Sequence, residues 1–183
     1  MTIKKQALAG RREKRLGIDI GRVIIAGDAH PDGGDTAFFA GDEATMLATP
    51  EMPGSVENIA ILVRLFQDRV WLVSKCGPRT QARTLRWLDG HDFWRRTGID
   101  PGHVRFCRQR ADKRGHCEEL GITHFVDDRV EVHAAIHGVV EHQYLFGPQP
   151  GEVPPYTVPV LTWAQARREI EATMRRGEKP HRA

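Results

Sequence analysis

Six residues of this chain combine the types and positions that can hold a phosphoryl group beside a divalent cation. Asp19 closes the apolar run Leu16-Gly17-Ile18-Asp19-Ile20. Ser74 and Lys75 end a second run that begins Val70-Trp71-Leu72-Val73. Lys113 opens a helical pattern, and Asp127 and Asp128 follow His124-Phe125-Val126. A carboxylate at the end of a buried strand is costly unless something partners it. Two or three converging carboxylates can hold Mg2+ in a site that also takes phosphate oxygens and water. A hydroxyl with the adjacent backbone N–H can hold a phosphoryl oxygen, and a lysine neutralises the remaining charge. In such a site Asp19 would attack phosphorus and form an aspartyl-phosphate, which water then hydrolyses.

These groups meet only if the fold gathers strand ends on one edge. Short apolar runs at 16–20, 70–74, 103–107, 123–126 and 142–146 read as strands, and Val70-Trp71-Leu72-Val73 has the unbroken apolar character of a strand covered on both faces. Helical patterns alternate with them. Ser55 can cap a helix carrying Val56, Ile59, Ala60, Val63 and Phe66. Residues 79–89 form another, with Ala82, Leu85 and Leu88 on one side. Asp112 can cap a helix through Leu120 that Gly121 ends. Residues 129–138 read as helical, and Thr162 with Gln165 forms a capping-box pair for a last helix burying Trp163, Ala166 and Ile170. The alternation predicts one α/β domain, doubly wound around a parallel sheet of about five strands, with ligands beyond the carboxyl ends of the strands.

Segment 26–53 breaks the pattern with Gly27, Gly33, Gly34, Gly41, Pro31, Pro50 and Pro53 around one apolar patch, Phe38-Phe39. It reads as a loop or small hairpin over the site edge, too short for a cap domain. The 183 residues carry a net charge of +3, too little to argue for nucleic acid binding. Basic residues do crowd the ends: Lys4, Lys5, Arg11, Arg12, Lys14 and Arg15, then Arg175, Arg176, Lys179 and Arg182. Residues 1–15 and 177–183 read as basic, poorly ordered tails around a domain at 16–176, with attraction of an anionic partner as the sharper reading. The three cysteines, Cys76, Cys107 and Cys117, form no CxxC motif and suit a reduced cytoplasmic thiol pool. No apolar stretch approaches the roughly 18–20 residues that cross a bilayer, so no membrane partner is expected.

The ordered set of motifs resembles the haloacid dehalogenase (HAD) superfamily of hydrolases. That family's first motif, a strand ending Asp-x-Asp-Gly-Thr/Val, stands here as Asp19-Ile20-Gly21-Arg22-Val23. The second, a strand ending in Ser or Thr, matches Val70-Trp71-Leu72-Val73-Ser74, the third matches Lys113, and the fourth, a strand ending Asp-Asp, matches Phe125-Val126-Asp127-Asp128. The resemblance runs from about residue 16 to 146. It implies a HAD-type, Rossmann-like sheet with spatial strand order 5-4-1-2-3 and a Mg2+-dependent phosphomonoester hydrolase. Asp19 would be nucleophile and metal ligand, and Gly21 would ligate the metal through its carbonyl. Ser74 would bind phosphate, with Lys75 a competitor expected to point away. Lys113 would pair with Asp19 and the phosphate. Asp128 would bind the metal directly, and Asp127 directly or through water.

Gly21 departs from the pattern, because family phosphatases carry there the Asp that protonates the leaving group. Asp28 or His30 on the following loop are candidate substitutes, with a solvated loop as the default. Family members that cleave carbon–halogen bonds also lack this Asp, but a metal-free dehalogenase has less need of Asp127 and Asp128. A catalytically weak or inactive phosphate- and metal-binding regulatory protein is the competing expectation. Without a large cap the site would admit phosphorylated macromolecules or nucleic acid ends as well as small molecules, or borrow a lid from a second subunit in a homo-oligomer. His133 and His137, one helical turn apart, are expected on an exposed helix because no third zinc ligand is evident. Trp87, Phe93 and Trp94 read as packing residues.

Overall fold

A three-residue strand, β1 (Leu16–Ile18), lies at the centre of the sheet and is wholly buried. In this computed structural model, which describes residues 13–27 and 36–176, it is followed by α1 (Thr36–Ala40), α2 (Glu43–Leu47), α3 (Ser55–Leu65) and β2 (Val70–Lys75). Next come α4 (Pro78–Gly90), α5 (Phe93–Thr97), β3 (Val104–Cys107), a 3-10 turn (Arg110–Asp112) and α6 (Lys113–Glu119). The chain then runs through β4 (His124–Asp127), α7 (Val130–Ile136), β5 (His142–Phe146), β6 (Val158–Val160) and α8 (Trp163–Arg176). The strands form one six-stranded sheet in the order β3-β2-β1-β4-β5-β6, with every pair parallel. Five of them stand in the expected order.

The sixth strand, β6, was not expected. Val158-Pro159-Val160 has three residues with a proline at its centre, and proline is tolerated in a sheet only where its missing N–H faces away from a neighbour. β6 satisfies that condition as an edge strand, joined to β5 alone.

Side chains of the central strands alternate between two apolar layers, as the two-residue period requires. Leu16, Ile18, Val70, Leu72 and Val126 face the layer that holds α3 residues with Trp87, Phe93 and Trp163. Trp71, Val73 and Phe125 face the second, with Cys117 of α6 and Val132 and Ile136 of α7. Gly17 is required at its position, since a Cβ there would meet the Phe125 ring at 2.4 Å. Ala166 and Ile170 of α8 are buried as expected, and Gln165 N donates to Thr162 Oγ1 at 3.2 Å.

Several local expectations are corrected. Ser55 is the first residue of α3 rather than its cap, and its buried Oγ has no hydrogen-bond partner. On α4 the buried face is Thr84, Trp87 and Leu88, leaving Ala82 and Leu85 exposed: the bulk of Trp87 rotates the inner face away from the smaller residues. The Asp112 carboxylate accepts from Gln109 N, not from α6. His133 is buried, whereas His137 is exposed and stacked on Tyr156. Lys14 and Arg15, counted with the basic tail, dock against the domain. Lys14 Nζ donates to the carbonyl oxygens of Thr173 and Met174, and an Arg15 N–H donates to Leu120 O. No described helix is long and apolar enough to cross a membrane.

The segment after β1 is closed at its base by a short antiparallel contact. Ala26 N donates to Pro50 O at 2.9 Å and Met52 N to Ile24 O at 2.7 Å. Its described interior is the helix pair α1 and α2 rather than a hairpin tip. Arg83 of α4 pins that pair, donating to Phe38 O and Gly41 O at 2.8 Å each.

His124, at the start of β4, is fully buried between Thr123 Oγ1 at 2.7 Å and Thr173 Oγ1 at 3.0 Å. Burial, then nearby His142 and Lys14, push its pKa down from 6.5 to about 3. In the unfolded chain it protonates near pH 6.5, so folded stability is present above that pH and is lost as pH falls toward 3. The full loss is on the order of a few kcal/mol. Urea titrations between pH 7.5 and 4 should therefore show a shallower acid loss for His124→Gln than for the wild type. Parallel profiles would exclude His124 as the source.

Candidate active site

Register brings the chemistry together. Ile18 of β1 pairs with Leu72 of β2 and Val126 of β4, so Asp19 comes level with Val73 and Asp127 at the carboxyl edge of the sheet. Asp19 N donates to Val126 O at 2.9 Å, which continues the ladder one residue past β1. Ser74 lies one step further along β2. Lys113 arrives from α6, whose first residue it is.

Lys113 is 1% exposed, and its ammonium bridges Asp19 Oδ1 at 2.8 Å and Asp127 Oδ2 at 2.7 Å. Burial opposes this charge, yet Asp127 and Asp19 outweigh it and hold the lysine pKa above its usual range. Asp127 Oδ1 accepts from Arg129 N at 2.9 Å. His133 braces the same strand end from below, with Nε2 3.1 Å from Asp127 O and Nδ1 3.1 Å from Gln143 Oε1. Burial raises the Asp127 pKa, with Asp19 adding to the rise and Lys113 opposing it. The Asp128 carboxyl is pushed up to about 7 by burial first, then by Asp19 and Asp127, against Arg22 and Arg129. Asp19 and Asp127 thus share one fully buried cation, while Asp128 pairs with Arg22 and Arg129.

Asp19, Asp127 and Asp128 each offer an oxygen within 4.8 Å of the other two. Asp19 Oδ1 is buried, with the Lys113 ammonium 2.8 Å away. A set of converging carboxylate oxygens fits a hard cation such as Mg2+ better than a softer metal.

The carboxylates line an open cleft of about 270 Å3 with Gly21, Ser74, Lys75 and Lys113, so all seven residues named from the sequence share one cavity. Ser74 is buried at its wall, and Lys75 is exposed yet lines the same space. The cleft also holds residues that the motifs did not single out: Arg22, Arg110, Arg129 and Phe39. Arg22 was the most legible of these. It occupies the motif position of a glycine, adopts a left-handed φ of 60°, and pairs with Asp128 at 2.7 Å. The turn that carries it is closed by Ile24 N and Ile25 N, both donating to Ile20 O. Gly21 has open space where a Cβ would stand. Asp28 and His30 lie outside the described residues. Cys76, beside the cleft, is held as a neutral thiol by burial and then by Asp19, its pKa pushed up to about 11.

Among solved structures, a haloacid dehalogenase-like family hydrolase from Xanthomonas campestris superposes with a TM-score of 0.62. The match covers 93% of this chain and 100% of that one, at 12% sequence identity. The chain therefore has the fold of that hydrolase. No family model and no curated protein sequence matches it.

Removing Lys113 would leave two buried carboxylates facing each other. Lys113→Met should cost roughly 3–5 kcal/mol in urea unfolding without divalent cations, the range for breaking a buried pair. Adding Asp127→Asn should recover part of that loss, and strict additivity would rule out the coupling.

Proposed function

We propose that the protein is a Mg2+-dependent phosphomonoester hydrolase that works through an aspartyl-phosphate on Asp19. The observation that carries this reading is the convergence of Asp19, Ser74, Lys113, Asp127 and Asp128 on one cleft at the carboxyl edge of the sheet. The fold shared with a haloacid dehalogenase-like hydrolase supports it. Asp19, the main-chain carbonyl of Gly21, Asp127 and Asp128 would hold the cation. Bound there, Mg2+ would neutralise the carboxylates and draw the phosphoryl oxygens toward them. Ser74 holds a phosphoryl oxygen in this reading. Lys113 orients the Asp19 carboxylate toward phosphorus and balances charge as it builds on the transferring group. Lys75, Arg110 and Arg129 give the mouth of the cleft a positive rim that suits bulky anionic substrates, including phosphorylated macromolecules and nucleic acid ends.

Hydrolysis of an activated aryl phosphate should require Mg2+ and should fall to background in Asp19→Asn. Turnover that ignores the metal or survives that substitution would contradict the proposal.

Gly21 favours a second reading, a slow or inactive HAD-like protein that binds metal and phosphate and regulates through them. No side chain at this position can protonate a leaving group, and a positioned acid typically contributes about 10²–10⁴-fold. The open space at the Gly21 Cβ allows a direct test. Gly21→Asp should accelerate poor-leaving-group esters by roughly 10²-fold or more and activated esters much less. An equal response of both classes would remove the missing acid as the limit.

A further inference from the structure

Beside the phosphate-facing cleft lies a second, smaller recess of about 60 Å3 that shares Gly21, Phe39, Ser74 and Lys75 with it. Its other walls are Ile20, Ile25, Phe38, Cys76, Thr80 and Thr84. It is a mostly apolar annex that meets the cleft at Gly21, next to the position Ser74 gives to phosphate. Phe39 forms its outer wall. That ring is 44% exposed and packs edge-on against buried Phe38 with centroids 5.5 Å apart. The wall is held in place from behind, because Arg83 donates to Phe38 O and Gly41 O on either side of Phe39.

We infer that this annex is a leaving-group subsite for aryl phosphate monoesters, with Phe39 as the face against which the aromatic ring packs. The inference rests on the phosphatase reading for its chemistry and deepens it by naming a substrate class. Two independent features agree. The first is chemical. When the Asp19 carboxylate forms its bond to phosphorus, the bond from phosphorus to the ester oxygen breaks and that oxygen leaves with the electron pair. A phenol has a pKa of about 10, so an aryloxide can depart unprotonated and take its proton from solvent afterwards. An aliphatic alkoxide is about as basic as hydroxide, whose parent water has a pKa of about 15.7, and it needs the acid that Gly21 cannot supply. Water then attacks phosphorus, releases inorganic phosphate and restores Asp19. The second feature is steric. Gly21 presents no side chain where the annex meets the cleft, and the walls of Ile20, Ile25, Phe38 and Phe39 reward contact with a ring, beside the hydroxyls of Ser74, Thr80 and Thr84.

The test compares phenyl phosphate with glycerol phosphate in the full chain with Mg2+, for wild type and Phe39→Ala. It also measures calorimetric binding of benzylphosphonate and propylphosphonate, which cannot turn over. Phe39→Ala should lower kcat/KM for phenyl phosphate about 5- to 10-fold and leave the alkyl ester within about twofold. Benzylphosphonate should bind the wild type several-fold more tightly than propylphosphonate, and Phe39→Ala should erase that preference. Equal losses for both esters, or no preference between the phosphonates, would overturn the subsite while leaving the phosphatase reading intact. Retained preference for benzylphosphonate without Mg2+-dependent turnover of any ester would overturn the phosphatase reading and with it the leaving-group role, leaving only an aryl-binding recess.

Discussion

The arrangement depends on one buried cation. Lys113 is sealed inside the domain between Asp19 and Asp127, which come from β1 and β4, two neighbouring strands at the centre of the sheet. An ammonium or carboxylate left unpaired at that depth would cost several kcal/mol. The pairing therefore dictates that α6 begin where it does, delivering Lys113 across the carboxyl edge of the sheet. The 3-10 turn at Arg110–Asp112, tied by the Gln109 to Asp112 bond, sets that starting point. Satisfying the lysine also holds Asp19 in place, its Oδ1 2.8 Å from the ammonium.

Charge imbalance carries the argument from structure to chemistry. Asp128 adds a third carboxylate to a space where Lys113 is already shared, and Arg22 and Arg129 reach it only from the more exposed side. Burial is the largest push on its pKa, with Asp19 and Asp127 adding to it. Arg22 takes part at the cost of a left-handed backbone, a strain that persists where surrounding structure over-determines it. Here the constraint is a turn whose amides converge on Ile20 O. Gly21 sits inside that turn and lines both the cleft and the recess beside it.

Much of this was legible in the sequence because strand ends obey a simple rule. Apolar runs that stop at Asp19, Ser74 and Asp127 must bring those residues to one edge once the strands are parallel, and register places them there. Elements written in weaker patterns were not legible. β6 is three residues around a proline, and α1, α2 and α5 are five-residue helices too short to show a period. The face of α4 was misjudged because Trp87 outweighs Ala82 and Leu85 in burial, which spacing alone does not reveal. His133 looked like a solvated helical histidine. Its ring instead joins Asp127 O to Gln143, a tertiary partnership with no local sequence signal. Arg110, Arg129 and Phe39 reach the cleft from separate loops and helices, and only the folded chain shows that they line the same space.

The most direct test of the central claim is the chemical state of Asp19 during turnover. The protein would be mixed with Mg2+ and an activated aryl phosphate, quenched in acid within the first turnovers and mapped by peptide mass spectrometry. The account predicts a phosphoryl group on the Asp19 side chain that disappears once substrate is exhausted. Turnover with the phosphoryl group on another residue, or with no adduct and full activity retained in Asp19→Asn, would contradict it.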